Sequence, residues 1–256
     1  MSENRTLVVE GVTQCFGGLT ALSDVNISIR KGEVLGCIGP NGAGKTTLFN
    51  VITGIYAPTQ GKVFLDGEDI TGKKPHVIAD KGISRTFQNI RLFKKLTTED
   101  NILIGMHTRT NTNLFDAIFH TGRKRREDAR NQKRVSEILE ILNLSEHRYD
   151  IADSLPYGMQ RKLEIARALA TEPKLLLLDE PAAGMNEQET EELVDIIRKL
   201  QQMQYTILLI EHDMKFVMNV CDRIVVLDYG SQIAEGLPDE IKCNPRVIEA
   251  YLGKEV

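Results

Sequence analysis

The chain has 256 residues, enough for one large domain whose core needs no disulfide staples. With 41% hydrophobic and 27% charged residues it excludes wholesale disorder, and a net charge of −4 gives no global attraction to nucleic acid. The longest apolar runs, such as Leu175–Leu178, fall far short of the ~20 residues of a membrane helix. Glu3, Arg5 and Glu10 stand where a signal peptide would carry apolar residues, so a cytoplasmic protein with only peripheral membrane contact is expected. The four cysteines, Cys15, Cys37, Cys221 and Cys243, show neither CxxC nor zinc spacing and read as small apolar residues in a reducing compartment.

In chain order, Leu7-Val8-Val9, residues 25–29 and Lys62-Val63-Phe64-Leu65 are short, alternating or bounded by Gly-rich turns. They predict an antiparallel subsheet. Val34–Ile38, Leu175–Leu178, Thr206–Ile210 and Ile224–Leu227 are continuous apolar runs instead, the pattern of strands buried on both faces of a parallel sheet. Leu193, Ile196, Ile197 and Leu200 recur at helical spacing among Glu, Gln, Arg and Lys. Strands alternating with such helices predict a three-layer α/β core. Residues from about 90 to 155 carry no strand signal and read as a helical insertion. Within it, the run Arg123 to Arg134 holds seven basic and two acidic residues. It reads as a solvated helix face, or as a contact for anionic headgroups or an acidic partner.

Two motifs carry chemistry. Gly39-Pro40-Asn41-Gly42-Ala43-Gly44-Lys45-Thr46 fits GxxxxGK[ST], between the strand Val34–Ile38 and a predicted helix from Thr46 to Thr53. Glycines let successive N–H groups turn toward phosphate oxygens, and the helix N-terminus adds its positive end. Lys45 then reaches the outer phosphates, and the Thr46 hydroxyl ligates Mg²⁺. The second motif is the strand Leu175–Leu178 ending in Asp179-Glu180-Pro181. Acids at the carboxyl end of a parallel strand lie where open α/β sheets bind ligands, with Asp179 toward the metal and Glu180 toward an attacking water.

Four further segments, in order, resemble motifs of the nucleotide-binding domain of ABC transporters. Gln88, in Arg85-Thr86-Phe87-Gln88, is similar to the family's Q-loop glutamine, and Ser154 to Arg161 (SLPYGMQR) to its signature. Ala182-Ala183-Gly184-Met185-Asn186 resembles the D-loop, and His212 the switch histidine. Phe16, before Gly17-Gly18, matches the position that stacks on adenine. The resemblance implies an α/β, P-loop NTPase fold: one ABC-type nucleotide-binding domain over 1–256 with an antiparallel β-subdomain, a helical insertion at about 90–160 and a C-terminal tail at about 238–256. It implies ATP and Mg²⁺ as cofactors. Glu180, His212 and Gln88 are then catalytic, and Thr46, Gln88 and Asp179 metal-binding. Phe16, the loop Gly39 to Thr47, and Leu155, Pro156, Tyr157 and Gly158 would contact nucleotide.

The family's usual signature is Leu-Ser-Gly-Gly-Gln, in a loop that reaches the γ-phosphate on the opposite subunit of a dimer. Here Tyr157 replaces its first glycine and Pro156 its serine; Pro156 has neither hydroxyl nor N–H, so two donors are lost, which implies a working but weakened signature. If the two ATP-binding chains of the dimer differ, their composite sites need not be equal.

Finer features, including Leu163-Glu164-Ile165-Ala166-Arg167, Ile210 to Met214 and the tail Asn244 to Gly253, resemble the ATP-binding subunit of bacterial branched-chain amino acid importers. That implies an ATPase coupled to transport, on the cytoplasmic face of the cell membrane. Its partners would be a second ATP-binding subunit, transmembrane permease subunits and, indirectly, an extracytoplasmic substrate-binding protein, with no nucleic acid. Urea-import or lipopolysaccharide-export subunits are the alternatives nearest in plan. A soluble ABC-type ATPase acting on nucleic acid or ribosomes, a non-hydrolysing subunit and a P-loop kinase are further ones.

Overall fold

A computed structural model describes residues 4–106 and 122–252. Its strands are β1 (Arg5–Phe16), β2 (Leu19–Arg30), β3 (Val34–Ile38), β4 (Gln60–Leu65), β5 (Glu68–Asp69), β6 (Ile83–Arg85), β7 (Leu175–Asp179), β8 (Thr206–Ile210), β9 (Arg223–Asp228) and β10 (Ser231–Gly236). Its α-helices are α1 (Lys45–Ile52), α2 (Pro75–Lys81), α3 (Thr98–Met106), α4 (Gly122–Ile141), α5 (Tyr157–Ala170), α6 (Glu187–Gln202), α7 (Met214–Val220), α8 (Pro238–Lys242) and α9 (Pro245–Leu252).

The continuous apolar runs become the middle of a six-stranded sheet of order β10-β9-β3-β8-β7-β6. Its strands are parallel except the edge strand β10. Every residue of β3, β7 and β8 is buried. Alternate side chains enter opposite cores: Leu176 and Leu178 pack with the faces of α5, α6 and α7, while Leu175 and Leu177 pack with α1 and the small sheet. Burial on both faces is why these strands show no polar alternation.

The small sheet has order β2-β1-β4-β5, antiparallel throughout. β1 and β2 each run 12 residues, well beyond the expected apolar cores, because bulges let polar residues continue the ladder. β6 and β10 carry no sequence signal. β6 is three residues long, and β10 is an edge strand of Ser-Gln-Ile-Ala-Glu-Gly with no fully buried residue. α1 starts one residue earlier than predicted, since Gly44 serves as its N-cap and Lys45 is already helical.

Between β6 and β7 the described residues form helices and the loops that join them, with no strand among them and one isolated bridge, Thr97 to Ile151. The part of the expected helical insertion at 107–121 lies outside the described residues, as do 1–3 and the tail beyond 252. α4 covers the basic run, of which the side chains at 123–126 are likewise outside the described set. Its later members follow the solvated-face reading in part: Arg130 is exposed 4.0 Å from Glu172. Arg134 instead packs inward, donating to the Tyr205 hydroxyl at 2.7 Å. Cys37 and Cys221 are buried free thiols, and burial pushes Cys37 up to about 12, which fits their reading as apolar filler.

Candidate nucleotide site

Strand order decides which segments meet. The adjacent strands β3, β8, β7 and β6 end, at their carboxyl edge, in the Gly39 loop, His212, Asp179-Glu180 and Gln88 respectively. Cys37 pairs with Ile210 across β3–β8, and Asp179 with Ile210 across β8–β7. Residues from four distant stretches of chain therefore share one edge, the place where open α/β sheets hold ligands.

The loop from Gly39 to Gly44 is shaped by its glycines. Gly39 has φ +150°, and a Cβ there would lie 2.0 Å from the Leu227 carbonyl oxygen. Gly44 has φ +102°, and its Cβ would meet the Ala21 carbonyl oxygen at 2.6 Å. Only glycine satisfies both constraints. No side chain caps α1, so its first-turn amides point into the loop with the positive helix end behind them. Lys45 is 6% exposed, and its Nζ donates to the carbonyls of Gly39 at 2.7 Å and Pro40 at 2.8 Å. Burial pushes its pKa down, while Cys37, Glu180 and Asp179 pull it back up. Thr46 is exposed at the loop's mouth and Thr47 is half-buried.

On the other side of the edge, Gln88 Nε2 donates to Glu180 Oε2 at 2.9 Å, and His212 Nε2 lies 2.7 Å from Glu180 Oε1. Glu180 takes the left-handed backbone region at φ +49°. Its N–H donates to Ile210 O at 2.9 Å, so β8 anchors it directly. Asp179 is 4% exposed and its Oδ2 accepts from Arg85 Nη2 at 2.7 Å. Arg85 also donates to Asn50 of α1 at 2.8 Å and lies between the rings of Phe49 and Phe87, 5.3 and 5.4 Å from their centroids.

An oxygen set of Asp179 carboxylate, Thr46 hydroxyl and the Gln88 amide oxygen suits a hydrated, hard cation such as Mg²⁺ rather than a closed protein cage. Gln88 keeps that oxygen available because its Nε2 is the atom committed to Glu180.

Pro156 occupies the N-cap of α5, and Tyr157 is the first helical residue. Proline is thus one position outside the helix, with Gln160 N donating to its carbonyl at 3.0 Å. The 45%-exposed Tyr157 ring lies over Gly184, whose Cβ would be 3.0 Å from it. A Cβ at Gly158 would come within 2.4 Å of the Glu189 carboxylate, which is itself fixed in a capping box with Asn186. These contacts bring the Leu155–Gly158 and Ala182–Asn186 segments side by side. Phe16 ends β1 41% exposed, edge-on to Tyr56 at 5.0 Å.

Sequence reasoning did not single out Tyr56, Arg85, Arg161, Glu164 or Glu211. Arg85 stands beside Gln88 in the same quoted segment, so a buried carboxylate in need of a cation was the available signal. Glu211 accepts the N–H groups of Ala182 at 2.7 Å and His212 at 3.0 Å. Burial pushes its carboxyl up against the pull of these donors.

A family model described as ABC transporter matches residues 22–183. The chain belongs to the ABC transporter family. A second model, described as branched-chain amino acid ATP-binding cassette transporter, matches residues 231–256 of this ABC protein. It is 49% identical to the high-affinity branched-chain amino acid transport ATP-binding protein BraF of Pseudomonas aeruginosa, over 97% of this chain and 98% of the relative. The corresponding LivG of Escherichia coli K12 is 46% identical with the same coverage. Among solved structures, the ADP conformation of MJ1267, an ATP-binding cassette of an ABC transporter, superposes with TM-score 0.84 at 35% identity, covering 98% of this chain and 99% of that one. The dimeric bacterial ABC transporter cassette MJ0796 gives 0.76 at 25% identity, over 91% and 98%. The α/β fold and the ABC ATPase class expected from the motifs are thereby established for this chain.

Proposed function

We propose that the chain is the ATP-hydrolysing subunit that powers import of branched-chain amino acids. The substrate assignment rests on the BraF and LivG relatives and on the match over residues 231–256. The observation that carries the catalytic reading is the meeting of Gln88, Glu180 and His212 at 2.9 and 2.7 Å on the strand edge shared with the phosphate loop.

In this reading the amides of Gly39 to Thr47 cradle the phosphates and Lys45 neutralises their outer oxygens. Phe16 offers the adenine a ring face. Thr46, Asp179 and Gln88 would hold Mg²⁺, which when bound neutralises charge on the β- and γ-phosphoryl oxygens. Glu180 accepts the proton of an attacking water or orients it, with Gln88 and His212 fixing the two oxygens of its carboxylate. Leu155, Pro156, Tyr157 and Gly158 address the nucleotide held by a second ATP-binding subunit, identical or different. The dimeric cassette among the relatives supports such a pairing. Permease subunits and, through them, an extracytoplasmic binding protein complete the assembly at the cytoplasmic membrane face. Among the described residues no helix is long and apolar enough to cross a membrane, so in this assembly the crossing belongs to the permeases.

Glu180→Gln tests the reading. It should retain ATP binding and stabilise the nucleotide-bound dimer while hydrolysis falls by roughly 10²–10⁴-fold, the usual worth of a general base. Wild-type turnover in that variant would remove Glu180 from the chemistry.

A further inference from the structure

Arg161 is the largest side chain with no exposed surface in the described part of the molecule. It lies on the second turn of α5. Its guanidinium faces the underside of the catalytic cluster. Nη1 donates to the carbonyl of Phe87 at 2.7 Å and to Glu164 Oε2 at 3.0 Å. Nη2 donates to the carbonyls of Gln88 at 2.8 Å and Glu180 at 3.2 Å. Glu164, 2% exposed, balances the charge, and its Oε1 accepts from the N–H groups of Phe87 at 3.3 Å and Arg91 at 3.4 Å.

A buried ion pair is weak evidence for stability, because desolvation offsets most of its attraction. What this pair supplies is geometry. The planar fork of one guanidinium bridges two segments 92 residues apart, at Gln88 and Glu180, whose side chains meet above it. Glu180 sits in a sparsely populated backbone region that surrounding contacts must enforce. The same guanidinium is carried by the helix that opens at Pro156.

Resting on the function proposed above, we propose that Arg161, with Glu164 as its counterion, is a positioning residue for hydrolysis. It fixes Gln88 and Glu180 relative to one another and fastens both to α5. The segment that addresses the partner's nucleotide and the pair that works on the chain's own nucleotide then move as one body. Arg161 touches no reacting atom, so its removal should alter turnover and leave nucleotide affinity alone.

The test uses the purified full chain, with mant-ATP for affinity, steady-state ATPase for kcat and KM, and a thermal melt. Arg161→Met combined with Glu164→Leu removes both charges at similar volume. We expect a cooperative melt, affinity and KM within about threefold of wild type, and kcat lower by roughly 10- to 100-fold, the effect of a misplacement near 1 Å. Arg161→Lys, which keeps the charge opposite Glu164 but loses the fork, should fall between the two. Wild-type kcat in the double variant overturns the proposal. Parallel loss of kcat and affinity overturns it as well, since that marks a merely structural role. Should the double variant fail to melt cooperatively, Arg161→Lys decides: lower kcat at unchanged KM supports the proposal and wild-type kcat overturns it. Equal rates for wild type and Glu180→Gln would defeat the catalytic reading, and this proposal with it, by a comparison that leaves Arg161 untouched.

Discussion

At the end of β3 the candidate site is made of backbone, whereas at the ends of β6, β7 and β8 it is made of side chains. The phosphate loop owes its shape to Gly39 and Gly44, to strand β3 before it and to helix α1 after it, all within about twenty consecutive residues. The carboxylate side joins Gln88, Asp179, Glu180 and His212 through bonds that span 32 to 94 residues of chain. Arg85, Arg161, Glu164 and Glu211 hold that side from below. Local geometry enforced by sterics tolerates loss of one side chain. A network of buried charges does not, because each deletion strands a partner.

The largest stability effect should therefore come from the networked side. Arg85→Met leaves the Asp179 carboxylate, 4% exposed, without its ion-pair partner. Breaking such a pair costs about 3–5 kcal/mol, and removing both charges together is often close to neutral. The urea midpoint should fall accordingly at unchanged slope, and Arg85→Met with Asp179→Leu should recover most of the loss. An unchanged midpoint in the single variant would erase the contrast between the two sides.

Lys45→Ala probes the backbone-built side. The loop's dihedrals are set by glycine, so the fold should hold while nucleotide affinity falls. A charge-assisted hydrogen bond of about 1.5–3 kcal/mol corresponds to about 10- to 150-fold in Kd. The pH dependence carries a definite sign. Burial lowers the native pKa of Lys45 below its usual 10.5, so the unfolded chain binds more protons and this group's contribution to stability rises with pH in the window below 10.5. In Lys45→Ala that rise should vanish, visible as a flatter plot of urea midpoint against pH on the alkaline side. A variant with unaltered affinity would contradict the phosphate assignment.

The same contrast explains what could be read in advance. β3, β7 and β8 were legible because burial on both faces writes a continuous apolar run. The phosphate loop was legible because its requirements are contiguous. Asp179 and Glu180 could be placed at a strand end, but no local pattern tells that Arg85 neutralises the first or that Arg161 cradles the carbonyl of the second. Those pairings follow from the strand order β3-β8-β7-β6, which depends on long-range packing. β10 was missed for the opposite reason: an edge strand with no fully buried residue needs no apolar run.

Pro156→Ser should have the smallest effect, and it tests whether the segment opening α5 works through backbone, like the phosphate loop, or through a side chain. Pro156 sits at the N-cap with φ −53° and ψ 152°, a conformation serine adopts without strain, and α5 has no side-chain cap. A serine hydroxyl there can accept a first-turn N–H, typically worth ~1 kcal/mol. Losing proline frees the unfolded chain by about 0.4–1 kcal/mol, which offsets the cap. The melt should therefore stay within a degree or two of wild type, and any change in turnover reports chemistry rather than folding. The hydroxyl keeps its own proton for a phosphate oxygen on the partner subunit while its lone pair serves the cap. Most of that new bond forms in the ground state as well, so turnover in the assembled dimer should rise severalfold and no more. An unchanged rate would mean that the N–H groups of α5 already suffice, making both sides of the composite site backbone-built where they meet the phosphates.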